Sequence, residues 1–219
     1  MVPTLGLTMK TPHKGAGLFQ VWGSATMRYG ACLAAIAASI VLGGAGAASA
    51  ADVLAGVYAH DLGPASRENG EDILVGWRSD QLGWLKILGR PSAYVTAAAN
   101  TDVSTDWLVT GVAWKFKVYD KIYVRPNFGI GYTTGKASRP SVTQPGLTPA
   151  QVASRLHLYE TRISFGTHWQ FNPGLSAGYQ INDRLAAELS YEHLSNGQIL
   201  HQGDNEGLDD VGVRLVYAY

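Results

Sequence analysis

From Ile163 to Ile181 the chain alternates between two kinds of side chain, and no other feature restricts its fold as much. The odd positions read Ile163, Phe165, Thr167, Trp169, Phe171, Pro173, Leu175, Ala177, Tyr179 and Ile181. The even positions read Ser164, Gly166, His168, Gln170, Asn172, Gly174, Ser176, Gly178 and Gln180. A two-residue period with one apolar and one small or polar face is the pattern of a β-strand whose faces meet different surroundings. The pattern recurs at Ile122–Tyr132, at Leu108–Val118 and at Val211–Tyr219, so the chain as a whole reads as all-β.

Alternation also suits a soluble sandwich. Three further features favour a barrel in a membrane. The apolar face is rich in aromatic residues, as barrel girdles are. The last strand ends on Tyr219, with Tyr217 and Leu215 two and four positions before it, an ending that resembles the C-terminal signal of outer-membrane barrels. The N-terminal region reads as an export signal: Met27-Arg28-Tyr29, an apolar run from Ala31 to Leu42, and small residues closing on Ala48-Ser49-Ala50. Cleavage is expected between Ala50 and Ala51. Residues 1–26 look unlike a signal region and are expected to be an upstream extension, with translation from Met27. The one cysteine, Cys32, falls within the signal, so the mature chain 51–219 has no disulfide. No stretch after residue 50 approaches the roughly 18 apolar residues of a spanning helix. In lipid, backbone polar groups must pair among themselves, so the strands must close.

The expected fold is therefore an eight-stranded antiparallel transmembrane β-barrel, with strands at 52–61, 72–79, 91–99, 106–118, 122–134, 158–181, 184–195 and 209–219. Tight turns at Asp120-Lys121 and Asn182-Asp183 mark the periplasmic end, and longer loops at 62–71, 135–157 and 196–208 mark the extracellular end. The loop at 135–157 is rich in Pro, Ser and Thr and is expected to be mobile. The apolar 80–90 connection breaks the short-turn rule, and its role stays open on the residues alone, an interfacial segment being one reading. Inward positions carry Arg78, Lys115, Lys117, Arg125, Arg162, Glu188, Glu192, Asp210 and Arg214. A barrel of eight strands is filled by its own side chains, so these charges are expected to form a salt-bridge network instead of lining a pore.

The chain carries 17 basic and 17 acidic residues; with Lys10, Lys14 and Arg28 lost in residues 1–50, the remainder has a net charge of −3. No basic stripe points to nucleic acid. His60, His157, His168 and His201 are scattered and are expected to be polar surface or lumen residues, so neither a metal nor a cofactor is expected. No phosphate-binding glycine loop and no nicotinamide fingerprint is present.

The strand 184–195 carries Leu185, Ala187, Leu189 and Tyr191 on its outward row, which then ends on His193 and Ser195. The outward row of the last strand starts with Asp209 and continues with Val211, Val213 and Leu215. The hairpin thus gathers a hydroxyl, an imidazole and a carboxylate on one outer face at one end, the set that acyl transfer needs. The residues alone leave open that they merely mark the edge of the membrane.

The run His193-Leu194-Ser195-Asn196, then Asn205-Glu206-Gly207-Leu208-Asp209, then an aromatic-ended last strand, resembles the lipid A 3-O-deacylase (PagL) family, with its His-x-Ser-Asn motif followed by Asn-x-Gly-x-Glu. The resemblance covers residues 158–219 most clearly. It implies an outer-membrane esterase that removes the 3-O-linked acyl chain from lipid A of lipopolysaccharide at the outer leaflet, with Ser195 as nucleophile, His193 as base and Asn196 helping to stabilise the oxyanion through its amide groups. Asp209 stands where the family has glutamate. Glu206 and Asp210 are alternatives whose parity points them inward. The implied partners are lipid A and membrane lipids; a homodimer is compatible with the sequence. Two other functions stay open on the residues alone: a non-catalytic structural or adhesion barrel, and an outer-membrane phospholipase.

Overall fold

The computed structural model describes residues 51–219 apart from Ala65. The expected signal segment 27–50 and the extension 1–26 lie outside the described residues. Nine strand segments form one antiparallel sheet: β1 (Asp52–Ala59), β2 (Glu71–Gln81), β3 (Ser92–Asn100), β4 (Trp107–Ala113), β5 (Phe116–Tyr119), β6 (Ile122–Thr133), β7 (Trp169–Gln180), β8 (Leu185–Leu194) and β9 (Leu208–Ala218). Chain neighbours pair throughout, except that β4 and β5 do not pair with each other. The sheet closes through β1 and β9, with Asp52 opposite Ala218 and Ala59 opposite Val211. β4 and β5 both pair with β6 and form one barrel strand interrupted at Trp114-Lys115, so the barrel has eight strands. At the interruption Trp114 donates its backbone N–H to Pro126 O at 3.0 Å.

Two expectations need correction. The sixth strand is much shorter than 158–181: residues 149–161 form a helix, α1 (Pro149–Thr161), and β7 starts only at Trp169. Thr148 caps α1, its hydroxyl accepting from Gln151 N while the Gln151 side chain accepts from Thr148 N. Proline in the first turn costs nothing, because that N–H has no partner in a helix anyway. Ile163, Ser164 and Phe165 are all buried, so the alternation does not hold there. Beyond the bilayer no lipid rewards an apolar side chain for facing outward, and Ile163 and Phe165 turn in to plug the barrel mouth with Trp107, Leu194 and Leu208. The segment expected to be a mobile 135–157 loop contains most of α1. Arg155 ties it to Ser141 O at 2.6 Å, and Arg139 reaches Arg162 O at 2.9 Å.

The second correction concerns the charged interior. Arg162 caps the end of α1, outside the strands, and Lys115 and Lys117 are exposed where β4 and β5 break. Arg78, Arg125, Glu188, Glu192 and Arg214 form the expected network, and Asp210 lies apart from it, beside His60 and Trp107. Glu188 accepts from Arg214 Nε at 2.7 Å and lies 3.4 Å from both Arg78 Nη2 and Arg125 Nε; Glu192 lies 3.2 Å from Arg214 Nη1. Tyr123 adds a hydroxyl to Glu188 at 2.8 Å. A void of about 10 Å³ beside Leu54, Tyr94 and Arg214 holds at most one water, which leaves no room for a pore there.

The outer face carries Val57, Ile73, Leu108, Phe128, Ile130, Leu175, Leu189, Val213 and Leu215, all well exposed. Apolar side chains on that scale, on the outer face of a closed sheet, match a hydrocarbon surround. No helix among the described residues is long and apolar enough to cross a membrane. The short connections 120–121 and 181–184 lie at the same end as the 82–91 connection, which contains a 3-10 turn at Lys86–Leu88. The longer connections 60–70, 134–168 and 195–207 meet at the other end.

Candidate active site

β8 and β9 pair residue for residue up to His193 opposite Asp209 and Leu194 opposite Leu208. Both His193 and Asp209 are on outward positions, and their side chains are 30% and 24% exposed. His193 Nδ1 lies 2.7 Å from Asp209 Oδ1. In that tautomer Nδ1–H donates to the carboxylate, and Nε2 keeps its lone pair free. The Tyr191 hydroxyl donates to the same oxygen at 2.6 Å. The carboxylate is thus fixed by two donors on the row that also holds the imidazole.

Ser195 continues the β8 row one step past the strand. It exchanges both backbone hydrogen bonds with Phe171, N to O at 3.1 Å and O from N at 2.7 Å. The same register puts Pro173 opposite His193. Proline has no N–H to give, and Asn172 Nδ2 supplies the missing donor to His193 O at 3.2 Å. The strand therefore stays extended through His193 and Ser195, which share the outer face about 6–7 Å apart along the strand. Ser195 Oγ makes no hydrogen bond among the described residues.

Asn196, expected to help stabilise the oxyanion through its amide groups, lies beneath the loop that follows Ser195. It is fully buried. Its Nδ2 donates to Phe165 O and to Asp204 O, both at 2.7 Å, and its Oδ1 accepts from Gln198 N at 2.7 Å. Its backbone N–H donates to Asn205 Oδ1 at 2.9 Å. Both amide groups are already engaged in folding the 196–205 loop. The backbone N–H of Gly197, next in the chain, makes no hydrogen bond among the described residues.

The alternative carboxylates lie elsewhere. Glu206 is held by Arg67 at 3.2 Å and by Arg139 at 2.5 Å, away from His193. Asp210 is buried in the lumen, where Trp107 Nε1 donates to it at 3.0 Å.

Three contributors escaped the sequence reading. Tyr191 reads as one more lipid-facing aromatic until its hydroxyl is seen on Asp209. Gly207 (φ 74°) lies flat against the histidine: an added Cβ would sit 3.1 Å from His193 Cε1 and 3.8 Å from Nε2, crowding the edge that must stay open. Its place in the second motif was the available signal. Gly63 backs the acid, since a Cβ there would sit 2.6 Å from Asp209 Oδ2, and Leu62 N donates to Asp209 O at 2.7 Å. His60 is a lumen residue, one of the two places expected for it, and its neighbours there are Glu68, Asp72 and Asp210.

The surroundings of the trio are apolar. Phe171 stacks on Phe128 at 5.9 Å, and Tyr132 meets Trp169 edge-on at 5.7 Å. Further down the outer face a groove of about 420 Å³ runs past Ala55, Ile73, Val75, Ala187, Val213 and Leu215. It opens about 13 Å along β9 from Asp209, the length of four strand residues.

A family model described as lipid A 3-O-deacylase (PagL) matches residues 80–218. No curated protein matches the chain. Among solved structures the chain is similar to the crystal structure of the outer membrane enzyme PagL, at 17% identity and a TM-score of 0.51, covering 76% of this chain and 98% of that one. It is also similar to a de novo designed transmembrane β-barrel, at 14% identity and a TM-score of 0.46 over 78% of this chain and 95% of the other. The attachment invasion locus protein Ail of Yersinia pestis aligns at 10% identity with a TM-score of 0.42, over 78% of this chain and 100% of that one.

Proposed function

The chain belongs to the lipid A 3-O-deacylase (PagL) family of outer-membrane β-barrels, and from that premise we propose that it hydrolyses the ester linking an acyl chain to the 3-position of lipid A, with Ser195, His193 and Asp209 as its catalytic residues. The observation that carries this reading is the 2.7 Å contact between His193 Nδ1 and Asp209 Oδ1 on the lipid-facing surface, one outward step from Ser195. Polar groups that only marked the membrane edge would have no reason to be arranged as an oriented base beside a free hydroxyl.

In the mechanism, Ser195 Oγ attacks the ester carbonyl while His193 Nε2 takes its proton. Asp209 keeps the imidazole in the required tautomer and offsets the imidazolium charge, and Tyr191 fixes Asp209. Asn196 acts by folding the loop after the nucleophile, and we assign the oxyanion to the free N–H of Gly197, a donor held in place before the charge develops. The histidine then returns the proton to the departing sugar hydroxyl. A water activated by the same base releases the acyl group from Ser195 as a free acid.

A site open to lipid suits a substrate that never leaves the bilayer. The apolar groove below the trio gives the acyl chain a bed while the ester stays at the polar end. Assigning the long-loop end to the outside puts the trio at the outer leaflet, where lipopolysaccharide resides. The test is lipid A from cells making the protein: loss of one hydroxy-acyl chain that depends on Ser195 supports the reading. Ser195-dependent cleavage of phospholipid instead would keep the nucleophile and change the substrate.

A further inference from the structure

On the lumen side of the same barrel end, directly behind Asp209, three adjacent strands converge on a second polar cluster. The β1–β9 register, carried one step past Ala59 and Val211, brings His60 opposite Asp210, and Asp72 joins from the start of β2. The side chains of His60, Asp72 and Asp210 are sealed from solvent. His60 Nδ1 lies 3.0 Å from Asp72 Oδ2 and 3.6 Å from Asp210 Oδ1. Ligand atoms about 2.1 Å from a metal are about 3.0 Å apart at right angles and about 3.4 Å apart at the tetrahedral angle. The observed separations bracket those values.

What surrounds these three atoms is also what a metal site needs. The other ring nitrogen, Nε2, contacts Glu68 Oε2 at 3.2 Å, the carboxylate behind a histidine that commonly orients a metal-bound imidazole. Asp72 is held on its far oxygen by Asn100 Nδ2 at 3.0 Å, and Asp210 on its far oxygen by Trp107 Nε1 at 3.0 Å. Each prospective ligand thus has a fixed partner on the side away from the shared point.

Charge points the same way. Three acidic side chains, Glu68, Asp72 and Asp210, gather around one imidazole with no side-chain exposure; among the described residues the further cation in contact is Arg162 Nη1, 3.9 Å from Glu68. Buried charge on that scale demands compensation. A divalent ion supplies two positive charges to that cluster. Imidazole with two carboxylates favours zinc and its first-row neighbours over magnesium or calcium.

We propose that His60 Nδ1, Asp72 and Asp210 form a buried site for a divalent metal ion of the zinc class, with Glu68 bonded to the far side of the histidine. Binding replaces the Nδ1 proton, which is released to solvent. The ion ties together the ends of β1, β2 and β9. It lies behind the catalytic acid, because Asp61 N donates to Asp210 Oδ1 at 3.1 Å and the neighbouring Leu62 N donates to Asp209 O.

The test uses the folded barrel in detergent, stripped with chelator and titrated with zinc by calorimetry. One equivalent should bind, and it should bind at least tenfold more weakly to His60→Gln and to Asp72→Asn. His193→Ala should bind it unchanged, which separates this site from the catalytic histidine. A second readout does not depend on refolding of the lumen variants: with histidine labelled in ¹⁵N, zinc should move the Nδ1 resonance of one histidine that persists in His193→Ala. Absence of saturable binding to folded wild type, or loss of binding in His193→Ala, overturns the proposal.

Discussion

Asp209 is one methylene shorter than the glutamate of the family's second motif, and it nevertheless reaches His193 at 2.7 Å. The loop after β1 packs against it closely: a Cβ at position 63 would sit 2.6 Å from Asp209 Oδ2, so the carboxylate would have to move. Asp209→Asn should keep the barrel and lose about 10⁴-fold in kcat, the scale expected when a catalytic imidazole is left in the wrong tautomer. Asp210→Asn should not reproduce that loss; equal loss from a folded Asp210→Asn would mean that the inward acid is the catalytic one. Gly63→Ala pushes directly on Asp209 Oδ2 and should lower kcat about tenfold or more, since a displacement of about 1 Å at a catalytic group can cost about 10². Tyr191→Phe removes one hydrogen bond to Asp209 and should lower kcat about fivefold with KM unchanged, in line with about 1 kcal/mol for such a bond. His193, Ser195 and Asp209 could be grouped from sequence because strand parity alone assigns them one face and one end. Tyr191 could not, because an outward tyrosine is already explained by lipid. Nor could the His60 cluster, whose partners Asp72 and Asp210 are 12 and 150 positions away in the chain and meet only once the sheet closes.

At the scale of elements, strands were readable where lipid enforces the period and unreadable beyond it. β7 keeps its alternation from Trp169 to Gln180, whereas Ile163 and Phe165 have the same parity and point inward. Helix α1 had a local signal in Thr148-Pro149-Ala150-Gln151, a capping box with proline at its start. The long alternation that follows outweighed it. The loop-end assignment predicts that protease added to intact cells cleaves within the 134–168 connection and spares 181–184. Cutting only after the outer membrane is breached would invert the barrel. The 82–91 connection exposes Trp84, Ile87 and Leu88, at 78%, 100% and 57%. If this is an interfacial anchor, brominated lipids should quench Trp84 fluorescence, and the quenching should be lost in Trp84→Phe; a Trp84 contribution that bromine leaves untouched would put the segment in water.

At the scale of the whole molecule, the barrel separates its polar groups by face. The lumen holds the charges that keep the cylinder filled and rigid, and the outer surface holds a trio that adds little to packing. Glu188 is the hub of the lumen, facing Arg78, Arg125 and Arg214 with no exposure of its own. Glu188→Ala leaves those guanidiniums uncompensated and should cost about 3–5 kcal/mol, seen as loss of heat-resistant mobility on gels at lower temperature. Ser195→Ala and His193→Ala should leave that mobility unchanged, because substitutions at such surface positions usually shift stability by about 0.5 kcal/mol or less. The central claim is that one outward hydroxyl, activated by one oriented imidazole, cuts the 3-O ester. Mass spectrometry of lipid A from cells making the wild type, Ser195→Ala, His193→Ala and the double variant tests it most directly. The account predicts loss of one hydroxy-acyl chain with the wild type and intact lipid A with each single variant. The double variant should be no worse than either single, since residues that act as a unit are not additive. Lipid A of unchanged mass with a folded, surface-located wild-type barrel, both in cells and in detergent, would contradict it.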